Sequence, residues 1–135
     1  VPNPKAAVSE MERVLAPGGV VIMAVPFFWY LHNEPYDYWR YTKHGLKELF
    51  TSGGFEVVFV KPLGGLFSFL HHLLFTAAVS VTHFVPLLGQ VILWIGYVTG
   101  YVMIELDQLV DTKRLFPLYY IGVFRKNKSR SNETI

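Results

Sequence analysis

The chain has 135 residues, no cysteine and a formal net charge of +2. That is long enough for one domain with a real core and too short for two ordinary ones. It excludes a disulfide framework, a thiolate zinc site and a cysteine nucleophile, and so small a charge, with no accompanying motif, gives no reason to expect nucleic acid.

The first residue, Val1, falls in mid-pattern with no Met and no leader, so the chain reads as a segment of a longer protein. Asn3 followed by Pro4 marks a helix start, since Asn caps and Pro at the first helical position loses no needed N–H. The helix is predicted over Asn3–Leu15, with Ala7, Met11, Val14 and Leu15 as its buried stripe. Pro17, Gly18 and Gly19 stop it and turn the chain. Val20 to Val25 (VVIMAV) is a continuous apolar run, the pattern of a strand covered on both faces, and Pro26 ends it. Beyond the next loop, Thr42 caps a second helix over Lys43–Ser52 with Leu46, Leu49 and Phe50 inward. Gly53 and Gly54 close that helix, and Phe55 to Val60 (FEVVFV) is the next strand.

The loop between Pro26 and Thr42 is the functional signal. It carries His32, Asp37 and Arg40 among Tyr30, Tyr36, Tyr38, Trp39 and Tyr41, where a plain connector would be short and rich in Gly, Ser or Asn. A loop leaving the carboxyl end of a buried strand is where ligands bind in α/β sheets. His32 is a candidate general base and Asp37 its orienter or substitute. Arg40 is a candidate for holding an acidic substrate group through its fork of donors, and Tyr36, Tyr38 and Tyr41 are candidate substrate contacts. The bland alternative is that Asp37 and Arg40 pair to pin the loop while the tyrosine rings pack beneath it.

From Pro62 to Ile104 there is no Asp, Glu, Lys or Arg. This concentrates the chain's high mean hydropathy of +0.33 in one place. Pro86 and Gly89 divide the run into two helical arms, Leu66–Phe84 and Leu87–Leu109, each able to reach ~30 Å, the thickness of a bilayer core. Ser68, His72, Thr76, Ser80 and His83 form a polar stripe on the first arm; Gly89, Gly96 and Gly100 form a groove on the second. Stripe and groove are expected to meet, leaving the outer faces apolar. Membrane contact through 66–109 is therefore expected, with Lys61, Lys113 and Arg114 as cytoplasmic flanks. The alternative is a soluble helical cap or dimer interface. His71, His72 and His83 lack an accompanying carboxylate, so no metal site is expected. Glu105, Asp107 and Asp111 read as a solvated face.

Leu118–Phe124 (LYYIGVF) is a last strand, and Arg125, Lys126, Lys128 and Arg130 begin a polar tail. One crossover helix between the first two strands makes a parallel βαβ unit. Two antiparallel arms return the chain to the end it left, so the last strand runs reversed. The predicted sheet is two parallel strands, then one antiparallel strand.

These residues resemble the C-terminal half of a class I S-adenosylmethionine-dependent methyltransferase of the type 11 group. The likeness is carried by EMERVLAPGG (residues 10–19), the strand ending Ala24-Val25-Pro26, HNEPYDYWRYT (residues 32–42), Gly45-Leu46 and GFEV (residues 54–57), and it covers Val1 to about Lys61. It implies an α/β fold: a Rossmann-like half-sheet whose reversed strand slots between its two predecessors, with the apolar hairpin as an insertion. The implied division is 1–61 for the methyltransferase part, 62–112 for the hairpin, 113–126 for the final strand and 127–135 for a disordered tail. It implies a methyl transfer, and together with the apolar hairpin it leads to the expectation of a small-molecule or lipid-linked acceptor, in the cytoplasm and at a membrane. The S-adenosylmethionine site would lie outside this segment, because the family's Gly-rich loop and ribose-holding acid have no counterpart here. A non-catalytic membrane-anchoring or interaction module is the alternative.

Overall fold

The computed structural model describes residues 1–82, 86–111 and 113–127, with backbone alone for 86–88. The order is α1 (Pro4–Val14), β1 (Val20–Pro26), α2 (Lys43–Ser52), β2 (Phe55–Leu63), α3 (Leu66–Thr82), α4 (Pro86–Leu109) and β3 (Tyr119–Lys126). The chain divides into two compact units: Val1–Lys61 with Tyr119–Ile135, and Pro62–Leu118. His83, Phe84, Lys128, Arg130 and most of the expected tail lie outside the described residues.

The expected α/β sheet with a parallel pair is corrected. The three strands lie in the order β1-β3-β2. β1 pairs with β3 antiparallel, from Val20 opposite Arg125 to Pro26 opposite Tyr119. β2 also runs against β3, since the Leu118 N–H donates to the Leu63 carbonyl at 3.0 Å and the Asn127 N–H to Gly54 at 3.2 Å. Every adjacent pair is antiparallel, and with four helices the fold is α+β, not a parallel Rossmann sheet. β3 lies reversed between β1 and β2, the place the resemblance implies, so β1 and β2 are not the hydrogen-bonded neighbours that the βαβ argument assumed. Here β3 separates β1 from β2, burying Tyr120, Gly122 and Phe124 on alternate positions.

The core of the first unit is Val8 of α1, Leu46 and Phe50 of α2, and Val25, Phe55, Tyr120 and Phe124 from the strands. β1 is not covered on both faces as its sequence predicts. Val20, Ile22 and Ala24 are exposed, Ile22 to 69%, because the core lies on the other face, where Val21, Met23 and Val25 meet it on alternate residues. On α1 the predicted Met11 and Leu15 pack against the core and Ala7 is half-buried; Val8 is the fully buried residue, and Val14 is exposed. Lys126, expected at the start of the tail, ends β3 and caps α1 instead. Its ammonium donates to the carbonyls of Glu12 at 2.5 Å and Leu15 at 3.0 Å, where the helix leaves acceptors unpaired.

In the second unit α3 packs on α4. The expected meeting of polar stripe and glycine groove is corrected: a Cβ at Gly96 would lie 2.0 Å from the Phe75 ring, and His71 sits opposite Gly100. Absence of a side chain at Gly96 makes room for that ring, which outweighs any match of polar positions. His71 Nε2 lies 2.9 Å from Thr99 Oγ1. The reading of Asp107 as solvated is also corrected. Asp107 is fully buried and accepts from the Phe67 and Ser68 N–H groups at 2.8 and 3.0 Å, while Asp111 accepts from Leu66 at 2.8 Å. Two carboxylates from the end of α4 thus cap the start of α3, whose first amides have no intrahelical partner. Asp107→Ala should lower stability by about 2 kcal/mol, read by denaturant titration of helical circular dichroism; an unchanged midpoint would show the cap to be idle.

Candidate active site

The site grows from the end of β1. Pro26 ends the strand, and the Tyr41 N–H returns to the Pro26 carbonyl at 3.2 Å, so the loop between them closes on itself as an Ω-type excursion. Within it the Tyr36 N–H bonds the Asn33 carbonyl at 2.7 Å. Thr42 then caps α2 through its hydroxyl, 3.1 Å from the Gly45 N–H. Phe27 and Trp29 pack the loop onto β3, whereas Tyr30, Tyr36, Tyr38 and Trp39 are exposed. Phe27 lies against Tyr120 with ring centroids 5.6 Å apart, and Trp29 against Tyr119 at 4.8 Å. Trp39 Nε1 donates to the Val1 carbonyl at 3.1 Å, tying the loop to the approach to α1.

Arg40 is the hub. Its Nη1 donates to Asp37 Oδ1 at 2.5 Å and to the Trp39 carbonyl at 3.0 Å; its Nη2 donates to Asp37 Oδ2 at 2.8 Å and to the Tyr30 carbonyl at 3.1 Å. Its Nε donates to the Trp29 carbonyl at 3.3 Å. All five guanidinium donors are therefore committed inside the loop. A substrate acid could reach Arg40 only by displacing Asp37. The Asp37 side chain is 8% exposed, and the bidentate guanidinium holds its carboxyl far below the usual carboxylate range, with the His32 N–H adding to the effect. So stable an anion is a weak proton acceptor, and it serves as an anchor.

His32 stands on that anchor. Its backbone N–H donates to Asp37 Oδ2 at 3.2 Å, and its Nδ1 lies 3.1 Å from the Tyr30 carbonyl and 3.4 Å from Asp37 Oδ2. Both neighbours of Nδ1 are acceptors, so Nδ1 carries the proton and Nε2 the lone pair.

Beneath the loop is a cavity of about 270 Å³. Its apolar wall comes from Val8 and Met11 of α1, Met23 and Val25 of β1, and Leu46 and Phe50 of α2; His32, Tyr36, Asp37, Tyr38 and Tyr41 also line it. Five of the six residues singled out from the sequence thus meet at one cavity, and Arg40 braces it from behind. The sequence reading missed Trp39 and Asn33 as lining residues, and the wall from α1. The helical spacing of Ala7 and Met11 was the available signal, since a stripe facing a sheet also faces whatever opens at the sheet's end.

The Asp37–Arg40 pair makes the loop resistant to acid. A carboxylate whose folded pKa is depressed contributes stability above its ordinary value, near ~3.9, and loses it as pH falls through the folded value. The loop should therefore keep its structure at pH 4 and release it only in much stronger acid. Trp39 fluorescence against pH tests this; release of the loop near pH 4 in the folded protein would contradict it.

No family model and no curated protein matches the chain. Among solved structures, the crystal structure of the [4+2]-cyclase SpnF is similar over 93% of this chain and 44% of that one, with 17% sequence identity and a TM-score of 0.47. The chain spans less than half the length of that protein.

Proposed function

We propose that this chain forms the acceptor side of an S-adenosylmethionine-dependent methyltransferase. The cavity under the loop receives a small-molecule or lipid-linked acceptor, and His32 removes its proton where the acceptor must lose one. The observation that carries this reading is the cavity at the end of β1, roofed by a loop whose histidine is oriented by a buried, ion-paired aspartate. The motifs of residues 10–19 and 32–42 support it from the sequence. An acceptor of this kind needs placement and exclusion of water more than covalent help, and a largely apolar pocket with an aromatic rim supplies both.

The cavity residues do not fit S-adenosylmethionine itself. Ribose hydroxyls call for a free carboxylate, and Asp37, the one acid among the described residues that line the cavity, has both oxygens committed to Arg40. The cofactor's own contacts are assigned to sequence outside this segment, as the resemblance implies. Titration of the gene's full-length product with S-adenosylmethionine by calorimetry tests the proposal. Stoichiometric binding, followed by methylation of an acceptor, is expected. No binding would remove the enzyme reading in favour of a membrane-anchoring or interaction module.

A further inference from the structure

The hairpin of α3 and α4 presents a surface that the chemistry of the site does not use. On α4, Val91, Leu93, Trp94, Ile95, Val98 and Val102 are all exposed, Trp94 to 70%. At α-helical spacing these positions, with Tyr97, Tyr101 and Ile104, cover more than half of the helix circumference. Among the described residues of the two helices the buried ones are Ser68, Gly96 and Asp107, none of them a large apolar side chain. A soluble core helix would be largely buried. Here the segment Gly89–Leu109, long and apolar enough to cross a bilayer with a mean hydropathy of 1.3, is 6% buried.

Polarity is divided along the length of the unit. Glu105, Asp107, Asp111, Lys113 and Arg114 follow Ile104, at one end, and no Asp, Glu, Lys or Arg precedes them after Pro62. Several polar groups on the arms are paired internally, although the Ser68 hydroxyl is buried with no partner. The hydroxyls of Ser80, Thr82 and Thr99 bond the carbonyls of Thr76, Ala78 and Ile95; Tyr97 and Tyr101 bond each other, and His71 bonds Thr99. The start of α3 is closed by Asp107 and Asp111. Internal satisfaction of polar groups is a requirement in hydrocarbon and is not needed in water. A protein partner would cover one side of α4, whereas lipid covers every side.

We infer that α3 and α4 enter the hydrocarbon region of a lipid bilayer, with the charged end of the unit at the headgroups and Lys113 and Arg114 facing anionic lipid. The inference stands apart from the methyltransferase reading. α3 reaches about 25 Å at 1.5 Å per residue, and Trp94 lies roughly 16 Å along α4 from Glu105, close to the midplane of a ~30 Å core.

The test uses the intact chain and vesicles of phosphatidylcholine with phosphatidylglycerol, some brominated at the headgroup end and others deep in the acyl chain. The Trp94 signal is the difference between wild type and Trp94→Phe. Co-flotation with vesicles, and stronger quenching of Trp94 by the deep bromines, is the expected result. Val98→Lys should weaken vesicle partitioning on the order of 100-fold while leaving helical circular dichroism unchanged, because Val98 is exposed. A chain that stays soluble and monomeric beside vesicles overturns the inference. So does a stable dimer that shields Trp94 without lipid, quenching confined to headgroup bromines, or partitioning indifferent to Val98→Lys.

Discussion

Phe124→Ala should destabilise the first unit by about 3–5 kcal/mol, the largest single loss expected from any core truncation here. Phe124 is fully buried on the central strand and stacks on Phe50 of α2 with ring centroids 3.8 Å apart and planes 10° from parallel. Removing the ring leaves a cavity between sheet and helix that neither side can fill, since Leu46 and Phe55 are themselves held in place. Gly122 supports the same arrangement: a Cβ there would come within 2.5 Å of the Phe124 ring, so Gly122→Val should act in the same direction. Denaturant unfolding measures both. Val58→Ala, at an exposed position of β2, should change little. Equal losses at Val58 and Phe124 would show that the core is misplaced.

His32→Gln separates chemistry from scaffolding. If His32 takes the acceptor's proton, turnover of the full-length product should fall about 100-fold or more, mainly in kcat, with KM and thermal stability nearly unchanged. The His32 side chain is 36% exposed, and its one loop hydrogen bond, to the Tyr30 carbonyl, can be taken over by the glutamine amide N–H, so its loss should not unfold the site. Arg40→Ala should behave differently. It strands the Asp37 carboxylate without its partner and frees the carbonyls of Trp29, Tyr30 and Trp39, so turnover and melting temperature should fall together. Wild-type kcat in His32→Gln would remove the histidine from the chemistry. Wild-type melting in Arg40→Ala would remove the pin.

The contrast between these two residues shows how far the sequence could be read. Spacing and residue type picked out the loop, its histidine and its two charged partners, because an unusually aromatic, charged loop after a strand is a local feature. Which of two roles Arg40 plays was open until its five donors could be counted against their acceptors. The second arm teaches the same point. Acids at Glu105, Asp107 and Asp111 look like a wet face when only the helix is considered. Asp107 is buried because the amides that begin α3 need an acceptor, and that need belongs to a different element some 40 residues away.

What the sequence alone determined is whatever depends on neighbours along the chain. Asn3 and Thr42 set helix starts, Gly53 and Gly54 a helix end, and the uncharged run after Pro62 sets an apolar hairpin. Only the tertiary structure decided the exposure of one face of β1, the ring of Phe75 over Gly96 and the cavity beneath the loop. Local rules act through hydrogen bonds and side-chain spacing within a turn or two. Burial depends on which distant surfaces exclude water from each other, and no window of sequence contains both surfaces.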